Sequence, residues 1–245
     1  MDISRYVPNL FTMGNLFFGM LGTYFAATNR LEYAAYAVVI GIFLDFFDGF
    51  FARILHAQSE LGLQLDSLAD VVTSGVVPGM VMYQMLHRVE SWGSGVRWVE
   101  QSLHWESISF VPFLGFCITL ASAYRLAKFN IDTRQTESFI GLPTPANALL
   151  IVSLPLILIY APYDSVEVLF LNKWFLLALT ALSCILLNAE LPLFALKFKT
   201  YDFAGNRVRY LFLAFAGLLL ISLQFLAIPL IIVAYVLISF VVIKR

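Results

Sequence analysis

Residues 44–70 read Leu44-Asp45-Phe46-Phe47-Asp48-Gly49-Phe50-Phe51-Ala52-Arg53, then eight residues from Ile54 to Leu61, then Gly62-Leu63-Gln64-Leu65-Asp66-Ser67-Leu68-Ala69-Asp70. Each half is embedded in an apolar run, Tyr33 to Leu55 on one side and Leu63 to Leu86 on the other. About 20 apolar residues cross a bilayer core as a helix, so each run predicts one span. Asp45 and Asp48 stand i, i+3, and Asp66 and Asp70 stand i, i+4. Either spacing puts both carboxylates on one helix face. The short connection after Arg53 makes the two helices antiparallel neighbours, so their acidic faces can meet.

These aspartates are costly where they stand. A carboxylate at the centre of a membrane helix costs about 2.5–3.5 kcal/mol on insertion scales, so four central ones would cost about 10 kcal/mol or more, on the order of a whole domain's stability. The cluster lies toward one end of its helices. Even so, Asp45 precedes Arg53 by eight residues, about 12 Å along the axis. Arg53 is one positive charge against four negative. Hard divalent cations take oxygen ligands, and two would balance four carboxylates. A lone aspartate could be a structural hydrogen-bonding group; four at ligand spacing read as a metal site. Gly49, Ala52 and Gly62 lack bulky side chains beside the acids, leaving room for a ligand against the backbone. Arg53 suits a phosphate, which its planar fork can bind in two places.

The rest of the chain has the same solvent preference. Of 245 residues, 60% are hydrophobic and 13% charged, and mean hydropathy is +0.84. Soluble domains run nearer half and a quarter. The predicted architecture is an all-α, polytopic membrane bundle forming a single domain over residues 1–245. Eight spans can be drawn: Leu10 to Ala27, Tyr33 to Leu55, Leu63 to Leu86, Ile108 to Lys128, Pro145 to Tyr160, Lys173 to Leu191, and two from Tyr210 to Ile243. That last run is too long for one crossing and is split near Leu223–Gln224 into a C-terminal hairpin, about 210–243, after catalytic helices over about 8–200. The first run lacks a small-residue cleavage site and is too long for a removed signal peptide. With the amino terminus cytoplasmic, eleven basic residues fall inside (Arg5, Arg53, Arg125, Lys128, Arg134, Lys197, Lys199, Arg207, Arg209, Lys244, Arg245) and four outside (Arg30, Arg88, Arg97, Lys173). This positive-inside bias predicts both termini, and the acidic site, at the cytoplasmic face of the cell membrane. A net charge of −1 gives no bulk reason for a nucleic-acid partner. Cys117 and Cys184 both lie in apolar spans and read as reduced packing residues. Trp105 and Trp174 fit interfacial anchoring. His56, Glu60, His87 and His104 read as surface groups.

The acidic segment resembles the CDP-alcohol phosphatidyltransferase family, whose motif is D-x2-D-G-x2-A-R, seven or eight residues, then G-x3-D-x3-D. Asp45, Asp48, Gly49, Ala52, Arg53, Gly62, Asp66 and Asp70 fill every fixed position within 26 residues. The resemblance implies a cytidine diphosphate lipid and two metal ions, Mg²⁺ or Mn²⁺, between these helices. It implies that Asp45, Asp48 and Asp66 chiefly hold metal, and that Asp70 is the base for the attacking hydroxyl and also touches metal. It further implies a homodimer. Val7-Pro8-Asn9-Leu10-Phe11-Thr12-Met13-Gly14-Asn15 resembles the family's P-N-x2-T-x2-N opening. Thr12 and Asn15 are therefore candidate nucleotide contacts, with helix capping and helix–helix hydrogen bonding as the alternative.

Three later segments resemble the bacterial and archaeal phosphatidylserine synthases of that family. They are Ala123 to Asn130 (A-Y-R-L-A-K-F-N), Phe139 to Pro145 (F-I-G-L-P-T-P) and Leu191 to Lys199 (L-P-L-F-A-L-K-F-K). Lys128 stands where arginine is common, keeping charge but losing the bidentate fork, and Ala195 stands where serine is frequent. The resemblance implies CDP-diacylglycerol as donor and L-serine as acceptor, with Arg125, Lys128 and Asn130 holding the serine carboxylate and lipid phosphate. Anchoring of basic residues at the cytoplasmic boundary would also explain them. Two competing readings remain open: the same chemistry with glycerol 3-phosphate or an inositol phosphate, and a divalent-cation transporter.

Overall fold

The structure, a computed structural model, describes residues 6–92, 109–132, 139–160, 164–193 and 206–243. Arg5, Arg97, His104, Trp105, Arg134, Ala195, Lys197, Lys199, Lys244 and Arg245, which enter the sequence argument, lie outside the described residues.

Helix α1 (Tyr6–Ala27) and helix α2 (Leu31–Ile54) form the first antiparallel pair. Asn29 turns the chain between them at φ 59°, a left-handed conformation that asparagine tolerates. Their contact is built from small residues: Gly19, Gly22 and Ala26 on α1 against Ala34, Ala37 and Gly41 on α2, all buried. In lipid, helices associate by close packing of small side chains, because apolar burial gives no preference over lipid tails. Helix α3 (Glu60–Asp70) follows a short loop and starts at Ser59, whose hydroxyl accepts from the Gly62 amide at 3.0 Å. A π turn (Val71–Val76) joins α3 to helix α4 (Val77–Trp92).

The π turn is the hub of the bundle. Thr73 Oγ1 donates to the Asn15 carbonyl at 3.0 Å, and Thr119 Oγ1 donates to the Gly75 carbonyl at 3.0 Å. A Cβ on Gly41 would lie 2.6 Å from Thr73 Cγ2, and one on Gly19 would lie 2.4 Å from Thr73 Oγ1. The two glycines thus leave the slot that Thr73 fills.

A 3₁₀ turn (Pro112–Phe116) leads into helix α5 (Cys117–Ile131). Helix α6 (Thr144–Tyr160), the short helix α7 (Asp164–Phe170) and helix α8 (Lys173–Asn188) follow, with α7 and α8 bent 67° at their junction. Asn172 caps α8 by accepting from the Trp174 and Phe175 amides. A two-residue antiparallel bridge pairs β1 (Phe139–Ile140) with β2 (Pro192–Leu193). Beside it, Gly141 at φ 75° donates to the Leu191 carbonyl, and a Cβ there would meet the Leu187 carbonyl at 2.7 Å. Only glycine fits that approach. The Phe139–Pro145 segment is therefore clamped to the end of α8.

Helices α9 (Arg207–Leu223) and α10 (Ala227–Ile243) close the described chain, joined by a 3₁₀ turn (Gln224–Leu226). The run Arg207–Phe240 is strongly apolar, yet Gln224 adopts φ 49°, ψ −122°. The Phe212 and Tyr235 rings meet at 5.8 Å between centroids. A straight helix would separate residues that far apart in sequence by about 35 Å. The chain therefore doubles back at Gln224, where the sequence places its split.

The main core gathers Val38, Val77, Met82, Ile118, Ile151 and Leu176; a smaller one gathers Leu193, Phe212 and Tyr235. Burial is inverted relative to a soluble protein. Leu10, Phe17, Phe43, Leu120 and Ile221 are exposed, whereas Thr12, Asn15, Asp48, Asp70, Ser122 and Arg125 are buried. Polar groups inside and apolar groups outside is the arrangement lipid imposes.

Helix length and composition alone support fewer spans than the eight expected from the sequence. Four described runs are long and apolar enough to cross a membrane, or five if α7 and α8 make one bent span, and one of the four, Arg207–Phe240, is the run that Gln224 divides into two arms of 17 residues each. The remaining arms are short: α5 has 15 residues, α6 has 17 and α8 has 16. At 1.5 Å per residue they reach roughly 22–26 Å, less than a hydrocarbon core of about 30 Å. The hydropathy runs overstate helix length because the predicted fourth span opens as a 3₁₀ turn and the sixth ends at Asn188.

Candidate active site

The four aspartates converge. Asp45 and Asp48 come from the last turns of α2, and Asp66 and Asp70 from α3, which returns alongside it. One carboxylate oxygen from each of Asp45, Asp48 and Asp66 lies within 4.8 Å of the other two. The Asn15 amide links Asp70 to Asp45. Asp48 and Asp70 are 7% and 9% exposed. Among the described residues no lysine or arginine forms an ion pair with any of the four. Hard oxygen ligands packed this closely fit divalent cations.

Helix α1 braces the cluster from behind. Thr12 Oγ1 donates to Asp48 Oδ2 at 2.6 Å. Asn15 Nδ2 donates to Asp70 Oδ1 at 3.1 Å and reaches Asp45 Oδ1 at 3.5 Å. Asn15 is fully buried and does not line the adjoining cavity, whereas Thr12 does. Asn15 thus makes the helix–helix hydrogen bonds that are one of the two readings open in the sequence. Its target is the carboxylate set itself.

A cavity of about 850 Å³ opens from the acids, lined by Asp45, Asp48 and Asp66 together with Gly49, Ala52, Arg53 and Gly62. A Cβ on Gly49 would meet nothing within 4 Å, so that glycine leaves open space. Gly62 is tighter: a Cβ there would stand 3.1 Å from Ser59 Oγ and 3.4 Å from Asn9 Oδ1. Arg53 Nε donates to the Gly49 carbonyl at 2.9 Å, which anchors its guanidinium at the cavity wall. Pro8, Asn9, Phe46, Gln58, Ser59, Glu60 and Leu63 also line the space. Glu60, read from sequence as a plain surface residue, thus stands at the cavity rim. Gln58, Ser59 and Glu60 belong to a loop and helix start, which carry no periodic signal. The Ser59 cap was the one legible feature.

The three polar residues of the Arg125 segment do not form one cluster. Arg125 is buried, stacks at 6.0 Å on the Phe129 ring and interacts electrostatically with Asp70. Asn130 exchanges hydrogen bonds with Ser67, one residue beyond Asp66. Lys128 turns away to pair with Glu190 at 3.4 Å. Arg125 and Asn130 therefore face α3, and Lys128 faces the end of α8.

By sequence, the chain is also similar to known proteins. A protein of Bacillus subtilis named CDP-diacylglycerol–serine O-phosphatidyltransferase is 33% identical over 154 residues, covering 61% of this chain and 75% of that protein. A Helicobacter pylori protein of the same name is 37% identical over 147 residues, covering 59% of this chain and 55% of that one. One from Methanocaldococcus jannaschii is 35% identical over 115 residues, covering 47% and 46%. The matched region thus spans three quarters of the first relative and about half of the other two. The profile of CDP-alcohol phosphatidyltransferases matches residues 5–186. With that match over most of the chain, and seven of the eight motif positions lining one cavity with Asp70 bonded to Asn15 beside it, the chain belongs to the CDP-alcohol phosphatidyltransferase family.

Proposed function

We propose that this protein transfers the phosphatidyl group of CDP-diacylglycerol to the hydroxyl of L-serine, giving phosphatidylserine and CMP. The observation that carries the proposal is the set of acidic oxygens within 4.8 Å, at the wall of a cavity of about 850 Å³. Relatives named for this reaction support the donor and the acceptor.

Asp45, Asp48, Asp66 and Asp70 would hold two divalent ions, Mg²⁺ or Mn²⁺. Such ions offset the charge of a pyrophosphate and of the departing CMP. Thr12 and Asn15 keep the carboxylates aimed, a role whose loss in metal sites costs about 10–100-fold. The nucleotide lies along Gly49, Ala52 and Gly62, with Arg53 on a phosphate. The serine oxygen attacks the lipid-side phosphorus, the bond to the bridging oxygen breaks, and CMP leaves with that electron pair. Asp70, held by Asn15, accepts the serine hydroxyl proton. Arg125, beside Asp70, holds the serine carboxylate, and Asn130 closes the same side through Ser67.

Serine is favoured over phosphorylated alcohols by a specific observation. Arg125 is buried near Asp70, whereas Lys128 is engaged with Glu190. A phosphate dianion would want a denser cationic pocket than one arginine provides. The test is CMP release from CDP-diacylglycerol with L-serine, glycerol 3-phosphate and inositol phosphate in turn. Serine should be the best acceptor by at least about tenfold in kcat/KM; equal or better turnover with either phosphorylated alcohol rejects the assignment.

At the level of the whole chain, the reading is one domain and eight crossings, with α5, α6, α8 and both hairpin arms spanning as short helices. Both termini and the site face the cytoplasm, and the protein works as a homodimer in the cell membrane. The distribution of Lys and Arg supports the orientation.

A further inference from the structure

The bundle interior next to Asp70 contains buried polar atoms that the reaction as drawn does not use. Ser74 and Ser122 are fully buried, and among the described residues neither hydroxyl has a hydrogen-bond partner. Among the same residues, both amide atoms of the fully buried Asn147 and the Nε of Arg125 are also unpartnered. A buried polar group left unpaired is disfavoured, so four residues of this kind need a reason.

Their positions supply one. Ser74 lies one turn beyond Asp70, within the π turn that Asp70 precedes. Ser122 stands one turn before Arg125 on α5, and its Cβ sits 3.2 Å from where a Cβ on Gly75 would be. Asn147 is on the buried face of α6, which packs against both the π turn and α5. Ser74 and Ser122 thus meet at the π turn that Asp70 precedes, Asn147 lies on a helix packed against that turn, and none of them lines the nucleotide cavity. Its chemistry is mixed: a guanidinium and an amide NH₂ can donate, and an amide oxygen and two hydroxyls can accept. A zwitterion needs that combination, with donors for its carboxylate and acceptors for its ammonium.

We propose that Ser74, Ser122 and Asn147, with Arg125, form the acceptor subsite and select the amino acid over other alcohols. The inference rests on the serine phosphatidyltransferase reading. It adds Ser74, Ser122 and Asn147 as specificity-determining residues.

The test uses the purified full chain in lipid nanodiscs with Mn²⁺, measuring radiolabelled L-serine binding in the presence of CMP and steady-state kinetics with CDP-diacylglycerol. Asn147→Ala should raise the KM for serine about tenfold or more, leaving the KM for CDP-diacylglycerol within about twofold. Ser74→Ala and Ser122→Ala should act in the same direction. Asn147→Leu guards against a folding artefact: it removes an unpaired buried amide, so the serine-free protein should melt no lower than wild type while losing the upward shift that serine produces. Unchanged serine binding and KM in all four variants would mean that the groups meet only water, and would overturn the subsite. So would a wild-type protein with no saturable serine binding. Saturable serine binding without any phosphatidylserine formed would instead refute the transferase reading and leave the subsite standing.

Discussion

Single residues divide into those that touch the reacting groups and those that aim them. Asp66 belongs to the first kind, and Asp66→Asn should lower CMP release at least about 100-fold even at saturating metal; retention of half the wild-type rate would remove it from the ligand set. Asn15 belongs to the second. Asn15→Leu should cost about 10–100-fold, read chiefly as a higher metal concentration for half-maximal rate. An unchanged metal requirement would show that the amide only packs. The aspartates were legible in the sequence because acidic side chains at helical spacing in an apolar run have so few affordable explanations. Thr12 and Asn15 were legible as a motif, but their targets were not. Only the fold shows that their side chains bond to Asp48, Asp70 and Asp45, with Thr12 also at the cavity wall. Arg125 and Asn130 meet α3 while Lys128 pairs with Glu190, a division that adjacency in sequence does not reveal.

At the scale of elements, the order and direction of the first helices followed from hydropathy and a short connection. The π turn did not. It has no compositional signature, and its existence rests on tertiary contacts: Thr73 fitted between Gly19 and Gly41, and the Gly75 carbonyl paired with Thr119. Two glycine substitutions separate packing from chemistry. Gly41→Val places carbon 2.6 Å from Thr73 Cγ2 and should cost about 1–3 kcal/mol of overpacking, seen as a lower thermal midpoint together with lost activity. Gly49→Val meets no neighbour within 4 Å. It should leave the midpoint near wild type while raising the KM for CDP-diacylglycerol. If the two variants behave alike in thermal unfolding, the contrast drawn between a packed and an open glycine is wrong.

For the molecule as a whole, composition fixed the solvent, and the hairpin near Gln224 followed from the length of the last apolar run. The span count was less legible. Hydropathy reports where a chain prefers lipid, and it does not report where helix gives way to 3₁₀ turns or bends. The hairpin has its own check: spin labels at positions 212 and 235 should lie within about 20 Å, whereas an unbroken helix would hold them about 35 Å apart. The chemistry is tested most directly by a balance of products. The protein is reconstituted in vesicles containing CDP-diacylglycerol and given radiolabelled L-serine, with CMP and phosphatidylserine counted together. The account predicts that the two appear one to one, that chelation by EDTA stops both, and that Mg²⁺ or Mn²⁺ restores them. Turnover that survives chelation, or CMP release that requires an alcohol other than serine, would contradict it.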